Sequence, residues 1–349
     1  MFCHLTHHQF RATLRQQADL TIEADNLRRF ENFFHARDLA VVFPRPIDGL
    51  VSRRVLTMSW ENGCGLGEFI DRASAPAKAR MAALGFDVFM SMLIMDNFVH
   101  VDSHVGNSMV QPSVWRHEEM RKSVARKSGA DKAGSGLNFA AIASEFTLAA
   151  AANLPPSVDP SIKPVVGAIA ASVASMGEAV VNHGSISRAS PGESLVCIDA
   201  GMVASLSKAG RAHLISMLID IVKADGEHAA KMCVHLSRNG CPGGASGERA
   251  FYANCKTLFD REVSQRRAAG HAVNVHCLLQ GIMNAVRDAH MELDSEFATI
   301  MVAMETQESV ARALQPDIDL VAKVVPFLFK HPSAALKFWI NDRLPDAAR

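Results

Sequence analysis

Two stretches decide the reading of this chain: Phe98–Gln111, FVHVDSHVGNSMVQ, and Leu195–Met202, LVCIDAGM. In the first, Asp102 precedes Asn107 by five positions, and His100 and His104 flank the Asp. In the second, a short apolar run delivers Asp199 to a strand end, and Gly201 allows a tight turn after it. An Asp on a loop can face an acceptor hydroxyl. An Asn slightly further on can turn back to hold a metal ion, and an Asp at a strand end can bridge metal ions that neutralise phosphates.

Outward from these stretches, periodicity sets the frame. Residues 9 to 37 read as a helix, with Leu14, Leu20, Leu27 and Phe30 recurring among charged positions. Two strand-like runs follow, 39 to 43 and 55 to 60, closed by prolines and by Asn62-Gly63 respectively. Residues 76 to 97 form a second helix, and from Lys208 to about Phe329 the pattern is all-helical. Residues 112 to 193 break it with a basic polar run, an Ala-rich stretch and a Ser/Gly/Pro tail, and read as a low-complexity, partly disordered insertion.

Composition limits the function classes. The 349 residues hold 36 Lys+Arg against 36 Asp+Glu, so no global basic field exists to gather nucleic acid, and no nucleic-acid partner is expected. A hydrophobic share of 48% is that of a globular chain and excludes disorder of the whole. Seven cysteines without a CxxC pair point to buried thiols in a reduced compartment. No apolar run is long enough to span a bilayer, and the first residues lack a signal-peptide core.

An Asp with an Asn five residues on, followed by a strand-borne Asp-x-Gly, is the arrangement of protein-kinase catalytic loops. In detail the chain resembles the UbiB-type atypical kinases, the aarF-domain-containing (ADCK) family linked to coenzyme Q biosynthesis. The family signature F-x-H-A-D-x-H-P-G-N is met by Phe98, His100, Asp102, His104, Gly106 and Asn107, and L-x-x-x-D-F-G-M by Leu195, Asp199, Gly201 and Met202. Gln17 to Asn26 is similar to the family's E-x-D-x-x-x-E-A-x-N helix, and VLTMSWENG at 55 to 63 to its hinge strand.

The resemblance implies an α+β, mostly helical, protein-kinase-like fold. Residues 1–63 would be a partial N-lobe, 64–111 and 194–330 a complete helical C-lobe, and 331–349 a C-terminal tail. It implies Asp102 and His104 as catalytic residues and Asn107 and Asp199 as Mg2+ ligands. Met58, Ser59, Trp60 and Glu61 would contact the nucleotide, with Trp60 packing near the hinge. Gln17, Glu23, His100, Gly106 and Gly201 would support the site. The implied cofactors are Mg2+ and ATP. The implied partners are nucleotide, a lipid or quinone-precursor ligand, a membrane surface and coenzyme Q biosynthesis proteins, in a mitochondrial setting.

The chain departs from the family at Val105 (Pro in the family) and Ala200 (Phe), and Gln17 stands where many members have Glu. No Lys precedes Lys78 and no Gly precedes Gly49, so the family's phosphate-gripping Lys and its K-x-G-Q motif are absent ahead of the first helix. The expectation is a truncated N-lobe and an impaired ATPase or lipid-directed kinase-like activity. A catalytically inactive pseudokinase scaffold for lipid or biosynthetic partners is the second reading. A third follows from alternation: in an extended strand His100, Asp102 and His104 would share one side, as ligands of a metal-dependent hydrolase.

Overall fold

Helix α1 (Leu20–His35) opens the part of the chain that the computed structural model describes: residues 18–35, 37, 39–112 and 192–330. Asp19 caps it by accepting from the Thr21 N–H and hydroxyl. Glu23 in the first turn suits the positive end of the helix dipole. Ala24, Leu27, Phe30 and Phe34 recur on one face and are buried. Gln17, residues 113–191 of the expected insertion and the expected C-terminal tail lie outside the described residues, whereas Pro112 and Glu193, placed in the insertion by sequence, belong to strands.

Short strands follow: β1 (Val41–Val42), β2 (Pro46–Ser52), β3 (Val55–Met58) and β4 (Cys64–Gly65). Sequence reasoning anticipated β1 and β3 but missed β2, because Pro44 and Pro46 read as breakers. Pro46 is the first residue of its strand, where no interior ladder hydrogen bond is lost. Gly49, at φ +79°, takes up the irregular register of the β2–β3 pair.

Helices α2 (Leu66–Arg72) and α3 (Ala75–Met90) come next. A π-helical turn, Ser91–Asp96, extends α3 and stops at Asn97, whose φ of 49° reverses the backbone. The Asn97 side chain then clamps Leu206, donating to its carbonyl at 2.7 Å and accepting from its N–H at 3.0 Å.

The catalytic-type stretch supplies β5 (Val99–His100), a 3-10 turn (Val105–Asn107) and β6 (Ser108–Pro112). The second stretch supplies β7 (Glu193–Cys197) and β8 (Val203–Ala204). A mixed sheet runs in the order β1-β7-β6-β4, with β1 parallel to β7 and the other pairs antiparallel. β2–β3 and β5–β8 are separate two-stranded ladders.

The remainder is helical, as expected: α4 (Lys208–Lys223), α5 (Gly226–His235), α6 (Gly244–Phe259) with a π-helical continuation (Asp260–Gln265), the short α7 (Arg266–Ala268), α8 (Val275–Asp288), α9 (Ser295–Leu314) and α10 (Leu320–Lys330). The fold is α+β and mostly helical. Among the described residues no helix is long and apolar enough to cross a membrane.

Two apolar cores hold these parts together. One lies among the helices from α3 to α10. The other joins α1, β1, α2, α3 and the end of α9 around Phe30, which stacks on Phe43 at 5.0 Å and meets Phe98 at 4.8 Å. Helix α1 is therefore anchored directly behind the catalytic-type stretch.

Candidate functional site

Strand pairing assembles the site. Ser108 lies opposite Cys197 in the β6–β7 ladder, and just beyond it the Ile198 N–H donates to the Asn107 carbonyl at 3.1 Å. Asn107 and Asp199 thus leave the same ladder end from neighbouring strands. On the other side, the β5–β8 pair and a bond from the Val101 N–H to the Met202 carbonyl (3.1 Å) fasten the Asp102 loop to the segment after Asp199.

Within the loop, Asn107 Nδ2 donates to the Asp102 carbonyl (3.0 Å) and to its Oδ2 (3.2 Å). The Asp102 carboxylate, partly exposed, is held facing Asn107 and solvent. His104 Nε2 lies 3.8 Å from Asp102 Oδ1, while its Nδ1 accepts from the Gly106 N–H at 2.9 Å. A Cβ at Gly106 would come 2.7 Å from the His104 ring, so a side chain there would have to displace the imidazole.

His100 is the buried member of the stretch, 1% exposed. Its Nδ1 lies 3.3 Å from the Asp102 N–H, and its ring lies beside Phe30. Burial holds its pKa below the ordinary 6.5, against the opposing pull of Asp199 and Asp102. The one-sided His100-Asp102-His104 arrangement expected for an extended strand does not form. Regular strand stops at His100, the chain turns, and His104 emerges half-exposed while His100 stays in the core. Among the described residues no three His, Cys, Asp or Glu side chains gather as a metal set.

Helix α1 grips the Asp199 segment. Asn26, buried, donates from Nδ2 to the Ala200 carbonyl at 2.8 Å, and Glu23 on the same helix faces this segment. Asp199 Oδ1 accepts from the Gly201 N–H at 2.7 Å. A Cβ at Gly201 would sit 3.3 Å from Asp199 Oδ1 and 3.8 Å from Glu23 Oε2, so both carboxylates converge on this glycine. Burial, and then the charge of Asp199, push the Glu23 carboxyl above its usual range. Two carboxylates facing each other beside an Asn suit a divalent cation shared with phosphate oxygens, the way Mg2+ is bound with few protein ligands. Asp199 and Asn107 would hold it, with Glu23 behind them.

Asn26, to which sequence reasoning gave no role, anchors the Asp199 segment. The signal was present: it lies three residues after Glu23, on the same helix face. Ala200, at the family's Phe position, is fully buried and is held through its backbone.

The nucleotide-side expectations fare unevenly. Met58 ends β3, and the Ser59 N–H donates to the Arg45 carbonyl at 2.9 Å. Ser59 Oγ accepts from the Arg45 N–H (2.9 Å) and donates to Glu61 (2.8 Å), so this segment is tied back to the start of β2. Trp60 does not pack near the hinge: it is 84% exposed, and its Nε1 donates to Asn62 Oδ1 at 3.2 Å. Its neighbours Ser59 and Glu61 turn toward Arg45 and each other, which leaves the intervening side chain pointing out.

Comparison with known proteins agrees with this geometry. A family model described as the ABC1 atypical kinase-like domain matches residues 2–120. A probable serine/threonine-protein kinase, abkC, from Dictyostelium discoideum is 27% identical over 338 residues, 96% of this chain and 46% of the relative. A mitochondrial ABC1 family protein of Saccharomyces cerevisiae is 26% identical over 326 residues, 92% of this chain and 44% of that protein. A probable protein kinase UbiB of Actinobacillus pleuropneumoniae is 19% identical over 340 residues, 96% and 45% respectively. The chain spans about half the length of the curated relatives it matches.

Proposed function

From the match of residues 2–120 to the ABC1 atypical kinase-like domain and the likeness of most of the chain to ABC1 family and UbiB relatives, we propose that this chain holds a magnesium–nucleotide complex at the Asp102–Asn107–Asp199 cluster, for ATPase or lipid-directed phosphoryl-transfer chemistry. The observation that carries this reading is the meeting of the Asp199 and Glu23 carboxylates at Gly201, with Asn107 on the neighbouring strand end holding Asp102. Bound Mg2+ would supply charge neutralisation on the phosphates. Asp199 and Asn107 hold position through the β6–β7 ladder. Asp102 orients a hydroxyl or water and can receive its proton at a carboxylate oxygen, and His104 adds a nitrogen on the exposed side of that carboxylate. Ser59 and Glu61 line the expected adenine side.

A role in ubiquinone biosynthesis or mitochondrial lipid metabolism, with a quinone precursor, a membrane surface or biosynthetic proteins as partners, is part of the proposal. The names of the fungal relatives support a mitochondrial setting.

Thermal-shift titration of the 349-residue chain with Mg2+-ATP tests the first reading. A saturable rise that requires Mg2+ and is lost in Asp199→Asn supports it. No rise at millimolar Mg2+-ATP overturns it in favour of the scaffold. ATP hydrolysis at rates usual for kinases, lost in Asp199→Asn, would refute the expected impairment.

A further inference from the structure

Two adjoining cavities lie among the helices on the inner side of the catalytic-type loop. The larger encloses about 710 Å³ of space between atoms, part of it open to solvent, among α3, α4, α8, α9 and α10. The smaller, about 460 Å³, continues toward His100 and Ser103. They share Met81, Gly85, Phe89, Gln307, Val310 and Leu314. The wall of the larger cavity is apolar apart from Gln307, and the smaller adds the polar side chains of His100, Ser103 and Ser108.

Gly85 is the first pointer to a ligand. It sits inside helix α3, where glycine costs about 1 kcal/mol relative to alanine. Its φ is not positive, and a Cβ built on it meets no heavy atom within 4 Å. Neither backbone geometry nor close packing calls for glycine there. A local rule broken without internal compensation is a mark of a functional position. At Gly85, the space a side chain would take is the space where the two cavities meet.

Gln307 is the second pointer. Its Nε2 donates to the Ser103 carbonyl and hydroxyl, next to Asp102. The carbonyl can only accept, which fixes which end of the amide faces the loop. Among the described residues, the Gln307 Oε1 accepts no hydrogen bond. A ligand with one hydrogen-bond donor would complete it.

We propose that this cavity binds a neutral, elongated apolar molecule whose single hydroxyl donates to Gln307, and that occupancy is transmitted through Gln307 and Ser103 to the Asp102 loop. The lining excludes a charged head, whose burial would go uncompensated. Two cavities that share a wall suit a chain running through both better than a compact ring system. The inference stands apart from the nucleotide reading, since binding here needs neither Mg2+ nor ATP.

The test uses the full chain and 1-dodecanol as probe, with dodecane and sodium dodecanoate as comparators. Dodecanol should raise the unfolding temperature saturably and slow amide exchange over residues 98–111, with dodecanoate at least tenfold weaker. Gly85→Leu should fold with an unchanged or higher unfolding temperature, because it gains helix propensity and meets open space, and should bind dodecanol at least tenfold more weakly. Gly85→Ala, which adds one methyl group, should retain most of the binding. Gln307→Met should bring dodecanol down toward dodecane. The proposal is overturned if dodecanol gives no saturable effect, or if Gly85→Leu binds it as the wild type does. It is also overturned if Gly85→Leu alone lowers the unfolding temperature markedly, since the space would then be filled by another part of this chain. A failed Mg2+-ATP titration beside successful dodecanol binding would refute only the nucleotide reading.

Discussion

Replacing Asn26 with alanine probes the contact on which the site's architecture depends. The Asn26 side chain is 5% exposed and its bond to the fully buried Ala200 carbonyl is 2.8 Å long. A typical hydrogen bond contributes about 0.5–1.5 kcal/mol net, and leaving a buried partner unsatisfied raises the loss to about 1–3 kcal/mol. In a domain of this size each kcal/mol corresponds to about 2–4 °C. Asn26→Ala should therefore lower the unfolding temperature by about 4–8 °C for a loss near the middle of that range. Asp25→Ala is the matched control one residue away. Asp25 makes only an exposed pair with Arg28, so its loss should cost under about 0.5 kcal/mol. Amide-exchange protection in Asn26→Ala should fall most over residues 195–204, because the lost anchor holds that segment. If Asn26→Ala unfolds no earlier than Asp25→Ala, or if exchange over 195–204 is unchanged, the grip of α1 on the Asp199 segment is wrong.

Other perturbations separate the remaining contacts. The Glu23 carboxyl is held above its ordinary 4.5, so the folded state binds that proton more tightly than the unfolded chain, and the group's contribution to stability falls as pH rises through the raised value. The stability of wild type relative to Glu23→Gln should thus decline from pH 4.5 to 7 in urea titrations without divalent cation; a flat difference contradicts the Glu23–Asp199 pairing. Asn97→Ala loses both bonds to Leu206 and strains the backbone at φ 49°, whereas Asn97→Gly loses only the bonds. The alanine variant should be the less stable by about 1 kcal/mol. Phe30→Ala should cost about 3–5 kcal/mol by emptying the core behind the loop, while Trp60→Ala should change stability by under about 0.5 kcal/mol; equal costs would mean that Trp60 is packed.

The sequence was most legible where chemistry depends on neighbours along the chain. The Asp102–Asn107 loop, the strand before Asp199 and the helix bearing Glu23 all form where spacing predicts them. It was least legible where a local signal had to yield to its surroundings. Pro46 concealed β2, although a strand start tolerates proline. The His100-Asp102-His104 alternation suggested a shared face, but the chain leaves the strand after His100, and core packing against Phe30 draws only that ring inward. Trp60 looked like a packing residue by type, yet the ties of Ser59 and Glu61 turn it outward.

By itself, the order of residues determined the kind of chemistry: a loop with a carboxylate and an amide five positions apart, and a second carboxylate at a strand end. Local backbone geometry enforces such spacings wherever the segment sits. The contacts that make these pieces one site lie far apart in the chain: Asn26 to Ala200 across 174 positions, Asn97 to Leu206 across 109, and Gln307 to Ser103 across 204. No periodicity encodes such pairings, because each forms only after two cores have packed α1, α3 and α9 around the loop. The empty space at Gly85 belongs to the same class, since a glycine in a helix reads as a flaw until its neighbours are in place.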